Sequence, residues 1–169
     1  MFKHCPKCQS TDISFETQRY WRCGHCDFVY FHNTAAGVAG IIKYQDQLLF
    51  TVRAKDPCKG KLDLPGGFVD YHETLEEGLS RELMEELSLS IAPQQWQYLC
   101  SFPNQYLYKN INYHTIDSVF VCELNDKPII HLEKSEILEA HWIGLNEIDV
   151  SEIAFPSIAK AVTQFIDLG

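Results

Sequence analysis

Carboxylates crowd one stretch of this chain. Between Pro65 and Leu89 lie seven Asp and Glu residues and a single Arg. Leu75, Leu79, Leu83 and Leu87 recur at every fourth position there, which predicts a helix with a buried leucine stripe. At about 100° per residue, Glu82 and Glu86 fall roughly 40° apart and flank that stripe instead of opposing it. Glu85 lies beside them. Carboxylates gathered at the edge of a core repel one another unless a cation neutralises them. Oxygen donors of this kind select a hard divalent ion, Mg2+ or Mn2+. Arg81 follows Glu77 by four residues and precedes Glu85 by four, so it can tie one acid down by a side-chain pair. Gly66-Gly67, just ahead of the helix, permits a sharp turn that exposes the Gly66 carbonyl toward the ion.

A second constellation stands near the N-terminus. Cys5-Pro6-Lys7-Cys8 and Cys23-Gly24-His25-Cys26 are two C-x2-C pairs separated by fourteen residues. Each such turn points two thiolates at one ion, and a second pair completes a tetrahedron. The spacing predicts a structural Zn2+ site on a small zinc ribbon. A closed set of four sulfurs leaves no open coordination position, so this metal serves folding and not catalysis. A redox role fits poorly, because the pairs lie on a hairpin pattern and not at the start of a helix. Cys58, Cys100 and Cys122 read as ordinary thiols.

The elements that must position these groups follow from periodicity. Residues 13–16 and 19–22 read as two short strands of the ribbon. From Ala36 the pattern is that of a mixed α/β domain. Val38–Ile42 and Gln47–Val52 read as paired strands turned at Tyr44-Gln45-Asp46. Leu62–Val69 is a short strand broken by Pro65-Gly66-Gly67. A helix is predicted from Thr74 to Leu87, strands at Trp96–Phe102, Thr115–Leu124 and Ala140–Ile143, and a last helix over Ser157–Ile166 with Ile158, Ala161, Val162 and Phe165 on its apolar face. The expected division is a ribbon over 1–34 and a catalytic domain over 35–169.

Composition limits the function. A chain of 169 residues, 46% hydrophobic and 12% aromatic, can bury an ordinary core. No apolar run reaches the roughly 18–20 residues of a membrane helix, and the first residues lack the apolar segment of a signal peptide. The expectation is a cytoplasmic protein without membrane partners. A net charge of -9 argues against a broad nucleic-acid surface, which binds by neutralising phosphates with Lys and Arg. An acidic protein that handles phosphates needs cations between itself and its substrate.

The stretch from Gly67 through Glu73 to Arg81-Glu82-Leu83-Met84-Glu85-Glu86-Leu87-Ser88-Leu89 resembles the Nudix box, G-x5-E-x7-R-E-U-x-E-E-x-G-U, with Ser88 in place of its last Gly. The resemblance implies an α/β/α sandwich with a mixed sheet, and hydrolysis of a nucleoside diphosphate linked to another moiety with Mg2+ or Mn2+. Carried over by position, Glu82, Glu85 and Glu86 bind metal with the Gly66 carbonyl, and Arg81 orients the carboxylates. A zinc ribbon ahead of the box is similar to the NADH pyrophosphatase branch. Glu136-Ile137-Leu138-Glu139-Ala140-His141-Trp142 matches that branch's E-x-x-E-A-x-W, which implies a metal role for Glu136. Ser157-Ile158-Ala159-Lys160 resembles a segment whose backbone touches substrate at Ala159. Where the branch carries S-Q-P-W-P-F-P-x-S, this chain has Cys100-Ser101-Phe102-Pro103-Asn104-Gln105-Tyr106, a departure at the marker of dinucleotide specificity.

NADH, ADP-ribose and FAD are the substrates this implies, each cut to two monophosphates. Phe102, Tyr106, Tyr108, Tyr113 and Phe31 are candidates for stacking on a base or nicotinamide ring. His114 and Asp117 flank the start of a strand within reach of a site. Two rivals share the fold: a non-catalytic nucleotide sensor whose ribbon contacts a protein or RNA partner, and a protein acting on nucleotide-capped RNA ends. The resemblance also implies a homodimer.

Overall fold

The computed structural model describes residues 2–168. The backbone forms two compact units, one before and one after the Thr34–Ala35 junction.

In the first unit β1 (Ile13–Glu16), β2 (Tyr20–Cys23) and β3 (Val29–Phe31) form an antiparallel sheet in that order. The third strand is three residues long, too short for alternation to announce it. Pairing brings Phe15, Trp21 and Tyr30 to one face. There the Phe15 and Trp21 rings stand 5.0 Å apart, and Phe2 packs edge-on against Trp21 and Tyr30 at 5.5 Å. So small a unit has little core beyond these rings and the cysteines.

The second unit comprises β4 (Ala35–Tyr44), β5 (Gln47–Arg53), β6 (Leu62–Asp63), β7 (Gly66–Phe68), α1 (Leu75–Leu87), β8 (Gln97–Tyr108), β9 (Ile111–Glu123), β10 (Ile137–Gly144) and α2 (Pro156–Leu168). Its sheet runs β10-β5-β4-β9-β8, with β6 added to β5 and β7 to β4. The β4–β9 pair is parallel and the others are antiparallel, so the sheet is mixed. Alternation along the strands sends Val38, Ile42, Leu49 and Phe120 to the face covered by α1, with Leu79, Leu83 and Leu87 packed on them. Ala39, Ile41, Leu48, Phe50 and Val119 face the other way, onto Ile158, Ala161 and Val162 of α2. The architecture is an α/β/α sandwich. Among the described residues no helix is long and apolar enough to cross a membrane.

Both ends of α1 are capped. Thr74 and Glu77 form a reciprocal capping box at its start. At its end Ser88 adopts φ 52°, ψ 32°, the left-handed geometry that glycine takes at lowest cost. The turn survives the departure from the box, with the Leu89 amide reaching the Leu83 carbonyl at 3.2 Å. Ser88→Gly is therefore expected to stabilise the protein by about 1 kcal/mol, read as a rise in the denaturant midpoint at unchanged slope.

β8 and β9 reach beyond the segments that alternation predicts. β4 begins at Ala35, opposite Thr115, so the rungs from Gln105–His114 to Tyr108–Ile111 pair only with each other. Lys109 and Asn110 close this hairpin with φ 46° and 63°, as a two-residue turn matched to strand twist requires.

Candidate active site

β7 lays Gly66 and Gly67 against Ala39 and Val38 of β4. Gly66 has φ 145°, and a Cβ there would land on the Val38 carbonyl oxygen, so only glycine fits. Its amide donates to Glu86 Oε2 at 3.1 Å. The apolar seam of α1 carries Glu86 inward until the residue is 8% exposed. Burial pushes its carboxyl up to about 8, with Glu82, Asp63 and Glu136 adding to the rise and the Gly66 amide opposing it. Glu82 is raised as well, by burial first and by Glu85 and Glu136, against the pull of Arg81. These are the acids that flank the leucine stripe, and a hard cation between them would relieve both.

Arg81 ties the surroundings together. Its Nε and a terminal nitrogen bind the two oxygens of Glu73 at 2.7 and 3.1 Å, and it also donates to the Phe68 carbonyl at 2.9 Å. Its other terminal nitrogen bridges Glu82 at 2.9 Å and Glu85 at 3.1 Å. One guanidinium thus fixes the loop after Gly67 to the acidic face of α1. Glu77, an expected partner of Arg81, instead accepts from the Thr74 amide at 2.8 Å. The N-cap claims it first.

The remaining acids are looser. Glu85 is exposed, and among the described residues Arg81 alone pairs with it. Glu136, just ahead of β10, accepts from Lys55 at 2.9 Å, yet lies close enough to raise both Glu82 and Glu86. Among the described residues no three carboxylates bring their oxygens within 4.8 Å of one another; the four cysteines alone form such a group. Arg81 pairs with Glu85 and Lys55 with Glu136.

On the α2 side of Gly66-Gly67 opens a cavity lined by Arg53, Asp63, Phe68, Asn104, Tyr106, Thr115, Asp117 and Phe155. Tyr106, a predicted stacking residue, is among them. Phe102 and Ala159 are not; they border a separate depression beside α2. The Ala159 amide and carbonyl are both engaged within the helix, with Phe155 and Thr163, at 2.9 Å. Phe31 belongs to the N-terminal unit, half exposed and packed on Tyr20 at 5.5 Å. His114 is exposed on β9. Arg53 and Asp63 are functional candidates that periodicity misses. They pair at 2.7 Å across β5 and β6, and burial raises the Asp63 carboxyl to about 6. An acid between two leucines, Leu62-Asp63-Leu64, is the one trace they leave in the sequence.

In the N-terminal unit the sulfurs of Cys5 and Cys26 are 3.8 Å apart and those of Cys8 and Cys23 3.7 Å. A tetrahedron with metal–sulfur bonds of about 2.3 Å has edges of about 3.8 Å. The Cys8 thiol, helped downward by the Ser10 amide, is nonetheless pushed up to about 12 by burial and the neighbouring sulfurs. Four thiolates at this spacing require a cation.

The NUDIX domain family matches residues 31–165. The chain belongs to this family. The solved NUDIX hydrolase from Nitrosomonas europaea superposes with a TM-score of 0.70 at 24% identity, covering 98% of this chain and 91% of that one. The NUDIX domain of Shewanella oneidensis NrtR, solved with ADP ribose, gives 0.63 at 20% identity over 82% and 90%. Among curated proteins, the NAD-capped RNA hydrolase NudC of Escherichia coli O1:K1 / APEC is 25% identical over 146 residues, 86% of this chain and 53% of that protein. The chain thus spans about half the length of the curated relatives it matches.

The Nudix box accounts for the network around Arg81: Gly67, Glu73, Arg81, Glu82, Glu85 and Glu86 all belong to it. Gly67 has a specific duty here, since a Cβ on it would stand 2.5 Å from the Glu82 carboxylate. That obstacle is the end of a flexible side chain, so Gly67→Ala should fold with a loss of less than about 1 kcal/mol. The displaced Glu82 should weaken Mn2+ binding by about tenfold, measured by paramagnetic resonance of free Mn2+.

Proposed function

We propose that this Nudix pyrophosphohydrolase cleaves the diphosphate of a nucleoside diphosphate linked to another moiety, of the NADH, ADP-ribose or FAD type, releasing two monophosphates. The observation that carries the reading is Glu86, a carboxyl buried at the edge of the core and pinned by the Gly66 amide, with Glu82 one turn before it and an open cavity on the other side of the same glycines. Glu82, Glu86 and the Gly66 carbonyl would hold Mg2+ or Mn2+, with Glu85 and Glu136 as outer donors. The bound ion supplies neutralisation of the diphosphate and an activated water. Arg81 positions Glu82 and Glu85 through its shared guanidinium. Lys55 gives up Glu136 when that acid is drawn inward and is then free to meet phosphate. Zn2+ on Cys5, Cys8, Cys23 and Cys26 holds the ribbon.

A nucleotide-capped RNA end is the second substrate class. Its support is the similarity to NudC, an NAD-capped RNA hydrolase. A cytoplasmic location and a homodimeric state belong to the same proposal.

The test is phosphate release, coupled through a phosphatase, from NADH, ADP-ribose, FAD and sugar nucleotides in Mg2+ and in Mn2+, with NAD-capped RNA as a further arm. Turnover of one substrate that requires the divalent ion and disappears in Glu86→Gln is the expected result. Tight binding without turnover of any of them would make the domain a sensor instead.

A further inference from the structure

The cavity beside Gly66-Gly67 is walled by rings and floored by acids. Phe68 stands edge-on to Tyr106 at 5.5 Å, and Tyr106 lies 5.8 Å from Phe155. Asp63 and Asp117 both line the space. Against them the described lining residues set one cation, Arg53, which is committed to Asp63 at 2.7 Å and lies 4.9 Å over the Phe155 ring.

Asp117 is held by donors on its own protein. Thr115 Oγ1 donates to Oδ1 at 2.8 Å, while Asn104 Nδ2 and Ser157 Oγ donate to Oδ2 at 2.8 and 2.6 Å. Oδ2 is then full, and Oδ1 keeps a free lone pair. Asp63 accepts the Leu64 amide at 2.9 Å and Arg53 at 2.7 Å, which leaves it acceptor capacity too. Gly37 keeps the floor clear, since a Cβ there would stand 2.9 Å from Asp117 Oδ1. At about 80 Å3 the cavity admits the edge of one ring and nothing like a whole dinucleotide.

Two carboxylates facing one engaged guanidinium repel a phosphate or carboxylate and welcome N–H donors. Aromatic walls favour a flat ring. We propose that this cavity receives the amino-bearing edge of a planar heterocycle, whose NH2 group donates to Asp117 Oδ1 and to Asp63. Asp117 is thereby a specificity-determining residue. The inference rests on the nucleotide-hydrolase reading and names the part of the substrate that this domain selects. Two heterocycles share the required chemistry: an amino-substituted base such as adenine, and the carboxamide of nicotinamide.

Calorimetric binding of mononucleotides to the intact chain, without added divalent cation, tests this and separates the two sources. AMP is compared with IMP, and nicotinamide mononucleotide with nicotinic acid mononucleotide. The amino-bearing member of one pair should bind tighter by about tenfold or more, the scale of a hydrogen bond to a charged acceptor. The pair that discriminates identifies the ring. Asp117→Asn should reduce the preference to less than about threefold. Gly37→Ala, which leaves every charge in place, should weaken the preferred ligand by about tenfold and carries the test if Asp117→Asn misfolds by circular dichroism. Equal affinities within both pairs, no measurable binding of any of the four, or an undiminished preference in folded Asp117→Asn would overturn the inference. No hydrolysis is involved. Turnover of the substrate panel without mononucleotide preference sinks only this inference, and preference without turnover sinks only the hydrolytic reading.

Discussion

Glu86→Gln is expected to lower turnover by at least about a hundredfold and, in the same protein, to raise the stability of the metal-free form at pH 8. The first half follows from removing a proposed metal-ligand oxygen from the buried carboxylate. The second follows from linkage. The folded state raises the Glu86 carboxyl from 4.5 to about 8. Ionising it costs the folded state more than the unfolded one, so no penalty exists below the unfolded value. The penalty grows as pH rises between the two values and is complete above about 8. At about 1.4 kcal/mol per pH unit, the rise from 4.5 to about 8 costs on the order of 5 kcal/mol. Thermal melts without divalent ion should therefore fall by roughly ten degrees from pH 5 to pH 8 in wild type and by much less in Glu86→Gln, where the raised Asp63 and Glu82 still titrate. Saturating Mg2+ should restore the wild-type value and move the variant far less. Parallel pH profiles for the two proteins would show that Glu86 carries no such burden.

The second large effect concerns the cysteines. Structural zinc contributes about 10–16 kcal/mol to the folding of small modules, as much as or more than the whole stability of an ordinary domain. The N-terminal unit has only its aromatic face besides. Cys23→Ser should remove zinc, read as about one ion per chain lost by elemental analysis. It should also open the segment before Thr34 to proteases within the time that leaves wild type intact. The unit after Ala35 has its own two-sided core, and its melting transition should stay within a few degrees. A protease-resistant ribbon in Cys23→Ser would mean that the rings suffice without the metal.

What could be read from the chain in advance divides by the range of the forces. α1 was legible because the leucine spacing and the acids flanking the stripe act within two turns. The cysteine site was legible because C-x2-C is itself a local geometry. The partnership of Arg81 was only half legible. Spacing along the helix offers Glu77 and Glu85 equally, but Glu77 is held by the Thr74 amide, and Glu73, two turns before Arg81, becomes its strongest partner. Arg53 and Asp63 were hidden because their pairing depends on which strands become neighbours. Phe102 and Tyr106 look alike as aromatics in one strand. The shape of the sheet beside α2 sends one to the cavity and the other past it.

The outer rungs of the β8–β9 hairpin give this domain two lifetimes in one ladder. Hydrogen bonds from Gln97 to Asn104 lie beside a parallel neighbour or over the cores, and they should break only when the domain unfolds. Those from Gln105 to Tyr108 have no third strand, and where no core contact holds them such a two-stranded ribbon should open sooner. Tyr106 stands among these rungs, and its ring, packed on Phe68 and Phe155, borders the cavity. Its Arg53 contact is long, 3.5 Å from the hydroxyl. Through that packing the Tyr106 ring anchors this end of the ladder to the cavity wall, and fraying should begin beyond it, at Leu107 and Tyr108.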